Sequence, residues 1–143
     1  MTKVQCVAAL ALVLGAGLAA RAEDAADAGA RVPLELYLKG HATGDGDYFR
    51  RAFHPDAKIQ GNRDGKLYSR TREEFAAGAP GKPAADEALR KRHIASVDVV
   101  DDAAFAKIEL DYPKVKFTDY MTLLKVDGEW KIMSKVYHGE PRK

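Results

Sequence analysis

The sequence predicts an α+β domain: a cone-shaped, curved antiparallel sheet with about three helices packed against one side. Three observations lead there. Helix signals end by about Ala77, four alternating runs then follow one another from His93 onward, and the last two runs meet at Asp127-Gly128. Both positions of a type I′ turn need positive φ, so this Asp-Gly pair fixes the register of a long hairpin, Lys114 to Val126 with Trp130 to His138.

Residues 1–22 read as a signal peptide. Lys3 gives a positive start, Val4 to Ala20 is almost wholly apolar, and Ala20-Arg21-Ala22 places small residues where a peptidase cuts. Cleavage near Ala22 would make the protein periplasmic or secreted. The run is shorter than the roughly 20 residues of a membrane span, so no membrane partner is expected after cleavage. Cys6 is the one cysteine and lies in this leader, so no disulfide is available to the domain. The formal charge of +2 also belongs to the leader, through Lys3 and Arg21. A neutral domain argues against a nucleic-acid partner, and Arg90-Lys91-Arg92 reads as a solvated strand start.

Residues 23–30 are Ala- and Asp-rich, a mature tail or a frayed helix start, and the domain proper is read as 31–138 with a tail at 139–143. Pro33 suits a first helical turn, and Leu34, Tyr37, Leu38 and His41 recur at helical spacing until Thr43-Gly44. Asp45 caps a second helix with Asp47 in its first turn and Tyr48, Phe49, Ala52 and Phe53 as its buried face. Ala57 to Asn62 and Lys66 to Ser69 form a strand pair about Asp64-Gly65. Thr71 to Glu74 has the spacing of a capping box, so a third helix runs to about Ala77. Gly78 to Glu87, with two glycines and two prolines, is expected to be a mobile loop.

His93, Ala95, Val97 and Val99 alternate on one face of the next strand, and Ala104, Ala106, Ile108, Leu110 and Tyr112 on one face of its partner. In the hairpin that follows, Val115, Phe117, Asp119, Met121 and Leu123 share a face. Asp119 is the one polar residue on it. An unpaired carboxylate there would cost several kcal/mol, so Asp119 must be paired, protonated or facing a wet cavity, unless this face is the outer one.

Three blocks carry a family resemblance: Leu34-Glu35-Leu36-Tyr37 with Gly40 to Asp45, Phe53-His54-Pro55-Asp56-Ala57, and the closing hairpin with Trp130-Lys131-Ile132. In this order they resemble the nuclear transport factor 2-like superfamily, and within it the family labelled putative lumazine-binding. The resemblance implies a cone with a ligand cavity, and often a homodimer formed through the outside of the sheet, here with Tyr120 and Thr122. Superfamily members include isomerases, dehydratases, cyclases and binding modules. Alignment with ketosteroid isomerase puts Tyr37 at that enzyme's oxyanion tyrosine, Asp119 near its later acid, and Gly61 at its base.

The expected cavity lining is Tyr37, Phe53, Ile59, Phe117, Asp119 and Trp130, with a small-molecule ligand as partner. The leading expectation is an exported binding module without turnover. An isomerase or dehydratase acting on a polyketide- or steroid-like substrate is the alternative, with Asp119, Tyr37 and His93 as catalytic candidates. His93 is the other titratable group that the sequence offers to Asp119, although a satisfied core histidine is the plainer reading. A dimeric interaction protein is the third reading. His41, His54, His93 and His138 lack ligand spacing and no nucleotide fingerprint is present, so no metal and no cofactor is expected.

Overall fold

The computed structural model describes residues 26–142. The leader assigned to residues 1–22, with Cys6, lies outside them. Helix α1 occupies residues 26–43, so most of the segment read as a tail is helical. Pro33 therefore sits in the body of a helix rather than its first turn. Its missing N–H leaves the Gly29 carbonyl without the usual partner, and Gly29 packs so closely on Trp130 that a Cβ would lie 3.0 Å from the indole. At the other end Gly44 adopts a positive φ of 71° and its N–H bonds back to the Gly40 carbonyl at 2.9 Å.

Helix α2, Gly46–Ala52, is capped by the Asp45 side chain, which accepts from the Asp47 N–H, and it buries Phe49 and Ala52. Strand β1, Phe53–Arg63, turns through Asp64 and Gly65, both at positive φ, into β2, Lys66–Thr71. Thr71 then caps α3, Arg72–Ala77, with both bonds of the capping box present. The segment from Gly78 is irregular apart from a 3-10 turn at Glu87–Leu89. It is tied to the end of α1 by a 2.8 Å bond from the Gly81 N–H to the Gly44 carbonyl.

Strands β3 (Lys91–Val100), β4 (Ala103–Tyr112), β5 (Val115–Val126) and β6 (Glu129–Pro141) complete a six-stranded sheet in the order β2-β1-β6-β5-β4-β3. Asp127 (φ 52°) and Gly128 (φ 82°) make the tight β5–β6 turn. The sheet is curved and does not close. It is mixed rather than wholly antiparallel, because β1 runs parallel to β6. That pairing slips between Phe53 and Lys58, where Pro55 has no N–H to offer the ladder. Strand β6 continues to Pro141, past the tail expected from residue 139.

Two further irregularities decide which side chains face inward. The β3–β4 register shifts between Ile94 and Ser96, leaving Ala95 as the extra residue. The β5–β6 register shifts where Thr122 faces Ser134 but Leu123 faces Ile132, leaving Met133 as the extra residue. A one-residue bulge reverses the faces beyond it. The concave face, with Ile59, Ile108, Met121, Leu123 and Ile132 fully buried, packs against Leu34 and Tyr37 of α1 and the aromatic rings of α2 and α3.

Candidate functional site

Tyr37 reaches the sheet because it follows the fully buried Leu34 by one helical turn, on the stripe that α1 turns toward the core. Its ring is fixed by Phe49, Phe53 and Phe75 with centroids at 5.8, 5.8 and 6.5 Å. Asp119 projects from the middle of β5 on the concave face, opposite Tyr137 of β6. Lys135 arrives diagonally from β6, turned inward by the bulge at Met133.

The three side chains form a closed hydrogen-bonded group. The Tyr37 hydroxyl donates to Asp119 Oδ2 at 2.5 Å, and Lys135 Nζ donates to the Tyr37 oxygen at 2.6 Å and to Asp119 Oδ2 at 3.2 Å. Tyr37 and Asp119 are fully buried and Lys135 is 5% exposed. Asp119 is thus paired, and its face is the concave one. Nζ is also surrounded by the rings of Tyr37, Phe75 and Tyr137, at 4.9, 5.2 and 4.9 Å from their centroids.

Burial and the adjacent Asp119 carboxylate raise the Tyr37 hydroxyl well above its ordinary pKa, so it remains a proton donor. Burial lowers the Lys135 ammonium, against the opposing pull of Asp119. Burial, reinforced by Lys135, Arg92 and Arg90, holds His41 well below its ordinary value and therefore neutral. Two buried polar atoms have no hydrogen-bond partner among the described residues: Asp119 Oδ1 and His41 Nε2.

Lys135 and His41 open onto a cavity of about 490 Å³. Its walls include Ile59, Phe75, Phe117 and Tyr137, and Asn62, Arg63, Tyr68 and Arg70 lie toward the β1–β2 turn. Of the lining read from the sequence, Ile59 and Phe117 face this cavity. Tyr37 and Asp119 lie beneath it, reaching it through Lys135. Phe53 does not line it, because it is fully buried against Tyr37 and Phe75. Trp130 lies elsewhere, packed on α1 at Gly29, because it stands at the start of β6 before the bulge.

His93 does not belong to the site expected of it. The bulge at Ala95 turns it to the outer face, where its side chain is 58% exposed and stands 3.6 Å from Glu109, so it does not reach Asp119. Gly61 does face inward, and the ring of Tyr137 fills its place: a Cβ there would lie 2.6 Å from that ring. At the basic start of β3 Lys91 is exposed as expected, but Arg92 is not solvated. Arg92, 8% exposed at its side chain, pairs with Glu87 at 2.5 Å and donates to the Tyr112 hydroxyl at 3.0 Å. The sequence reading missed Lys135 and His41 as site residues. His41 was visible one turn after Tyr37 on the same helical stripe; Lys135 gave no such signal.

An open curved sheet folded over three helices, with a polar group beneath its cavity, defines a nuclear transport factor 2-like domain. The profile of the family described as putative lumazine-binding matches residues 25–138, and the chain belongs to that family. A nuclear transport factor 2-like protein of unknown function from Silicibacter pomeroyi DSS-3 is 30% identical, with a TM-score of 0.69 over 79% of this chain and 94% of its own. A second, from Shewanella baltica OS155, is 33% identical, with a TM-score of 0.68 over 77% and 90%. Among proteins with a stated activity, aldolase FrzH of Cladobotryum sp is 27% identical over 108 residues, 74% of this chain and 85% of that protein.

Proposed function

We propose that the domain binds a small organic molecule in this cavity, seating a carbonyl or carboxylate oxygen of the ligand over Lys135. The observation that carries the reading is the amine itself. Two of its hydrogens are directed to Tyr37 and Asp119, and Lys135 lines the cavity together with His41, whose buried Nε2 has no partner among the described residues. A ligand oxygen accepting the remaining hydrogen would gain a charge-assisted bond in a site of low dielectric. In this reading the protein is an exported binding module, residues 1–22 being removed on export.

The test is a titration with one- and two-ring aldehydes, ketones and carboxylates, followed by NMR shifts of Phe117 and Tyr137. Saturable shifts that weaken about tenfold in Lys135→Met, the loss of one charged hydrogen bond, support the reading. Shifts confined to other surfaces, or unchanged by the substitution, overturn it.

A second reading is favoured by the unbroken path from Lys135 through Tyr37 to Asp119. Such a path can move a proton to or from a carbonyl compound, as an acid–base enzyme requires, and the similarity to a protein named as an aldolase points the same way. The catalyst would be Lys135 with Tyr37, not His93. The homodimer is likewise a proposal. Phe105 and Tyr120 stack on the outer face with centroids 5.9 Å apart, and Leu124 and Val136 are exposed beside them.

A further inference from the structure

We infer that Lys135 is a nucleophile: its amine condenses with an aldehyde or ketone that enters the cavity, giving an imine. This rests on the cavity being a small-molecule site and names the chemical class it takes. The inference begins at Asp119 Oδ1, which is fully buried and has no donor among the described residues. An ammonium–carboxylate pair would leave part of the negative charge on that atom in apolar surroundings, the costly arrangement. When a carbonyl compound is seated over the ammonium, one proton passes from Lys135 to Oδ2 as a step of the reaction, directly or through the Tyr37 hydroxyl, and the charge on Oδ1 is relieved. The transfer also leaves Lys135 a free amine with a lone pair. All the required contacts are present, at 2.5, 2.6 and 3.2 Å.

Lys135 is placed to use that lone pair, because it is the member of the group that lines the cavity while Tyr37 and Asp119 lie beneath. A buried amine that loses its proton easily is the form lysine takes when it attacks carbonyl carbon. The step balances without an oxidant. Nitrogen adds to the carbonyl carbon as one N–H proton passes to the oxygen; that oxygen then leaves as water with the second N–H proton, and the C=N bond remains. Tyr37 and Asp119 can relay both protons.

The test uses the whole wild-type protein, benzaldehyde and sodium cyanoborohydride at neutral pH, read by intact mass and peptide mapping. Hydride adds to the imine carbon, so each imine becomes a stable benzyl-lysine. The expected result is a single adduct at Lys135, formed at least tenfold faster than at exposed lysines such as Lys39 or Lys66. Tyr37→Phe should slow that labelling at least tenfold, and labelling of Lys135 at the wild-type rate in this variant would overturn the relay through Tyr37. Adducts spread over exposed lysines with none at Lys135 overturn the imine. If benzaldehyde still shifts Phe117 and Tyr137 in that case, the binding reading stands without it; if those signals also stay still, both fail for this class of ligand.

Discussion

Tyr37 and Asp119, 82 residues apart in the chain, share a 2.5 Å hydrogen bond between two side chains with no exposed surface. Helix α1 is thereby joined to the centre of β5 by a polar contact inside an otherwise apolar interface. A bond of this kind specifies one docking of helix on sheet, since any other leaves the carboxyl group with Lys135 as its donor and without the one from the helix.

Tyr37→Phe removes that donor and leaves the shape almost unchanged. Stability is expected to fall by about 1–3 kcal/mol, the cost of a buried acceptor losing a partner. Urea denaturation of the variant measures it. A change within a few tenths of a kcal/mol would mean that the contact contributes nothing to docking.

Asp119 and Lys135 should behave as a coupled pair. Either Asp119→Leu or Lys135→Met alone strands a buried polar partner and is expected to cost about 3–5 kcal/mol. The double variant should recover most of that loss. Additive losses in the double-mutant cycle would contradict the pairing.

Acid should destabilise the fold through His41. In the fold its ring is held neutral well below its ordinary pKa, whereas in the unfolded chain it protonates near 6.5. Below that pH the unfolded state binds the extra proton, so stability present above 6.5 is lost as pH falls, by about 1 kcal/mol per unit. The groups facing the ring are Tyr37, Phe49 and Phe75, with Lys135, Arg92 and Arg90 as the nearby cations. His41→Phe should flatten the slope between pH 6.5 and 5.5; an unchanged slope would assign it to other groups.

Gly61→Ala should close the cavity from one side. The added carbon meets the Tyr137 ring at 2.6 Å, so the ring must shift, at an expected cost of about 1–3 kcal/mol. Weaker binding of a cavity ligand should accompany the loss. Full stability together with full affinity would show that Tyr137 does not shape the site.

The homodimer proposal is tested on the convex face. Tyr120→Lys with Phe105→Glu should convert a dimer to a monomer in sedimentation at micromolar concentration without changing the fold by circular dichroism. A wild-type protein already monomeric at that concentration removes the proposal.

Much of this architecture was legible in the sequence because it rests on local chemistry. Asp127-Gly128 announced the hairpin, Thr71 with Glu74 the third helix, and strict alternation put Asp119 on an apolar face that did prove concave. What was not legible depends on two bulges. Alternation carried on from Trp130 and Ile132 places Lys135 outside with Lys131; the extra residue Met133 turns it in. The same reasoning run back from Val97 and Val99 places His93 inside, and Ala95 turns it out. Bulges of this kind have no fixed residue signature, so period-two reading loses the faces beyond them. The parallel β1–β6 pair was equally hidden, since no local signal joins strands so far apart in the chain.

The place of β6 in the sheet also sets a timetable for the nascent chain. It lies between β1 and β5, yet it is the last strand to be made. Until it emerges, β1–β2 and β3–β4–β5 remain separate ribbons, Asp119 lacks Lys135, and the concave face cannot be covered. Almost all of the chain is therefore synthesised before the domain can form, and pairing across such sequence separations is slow.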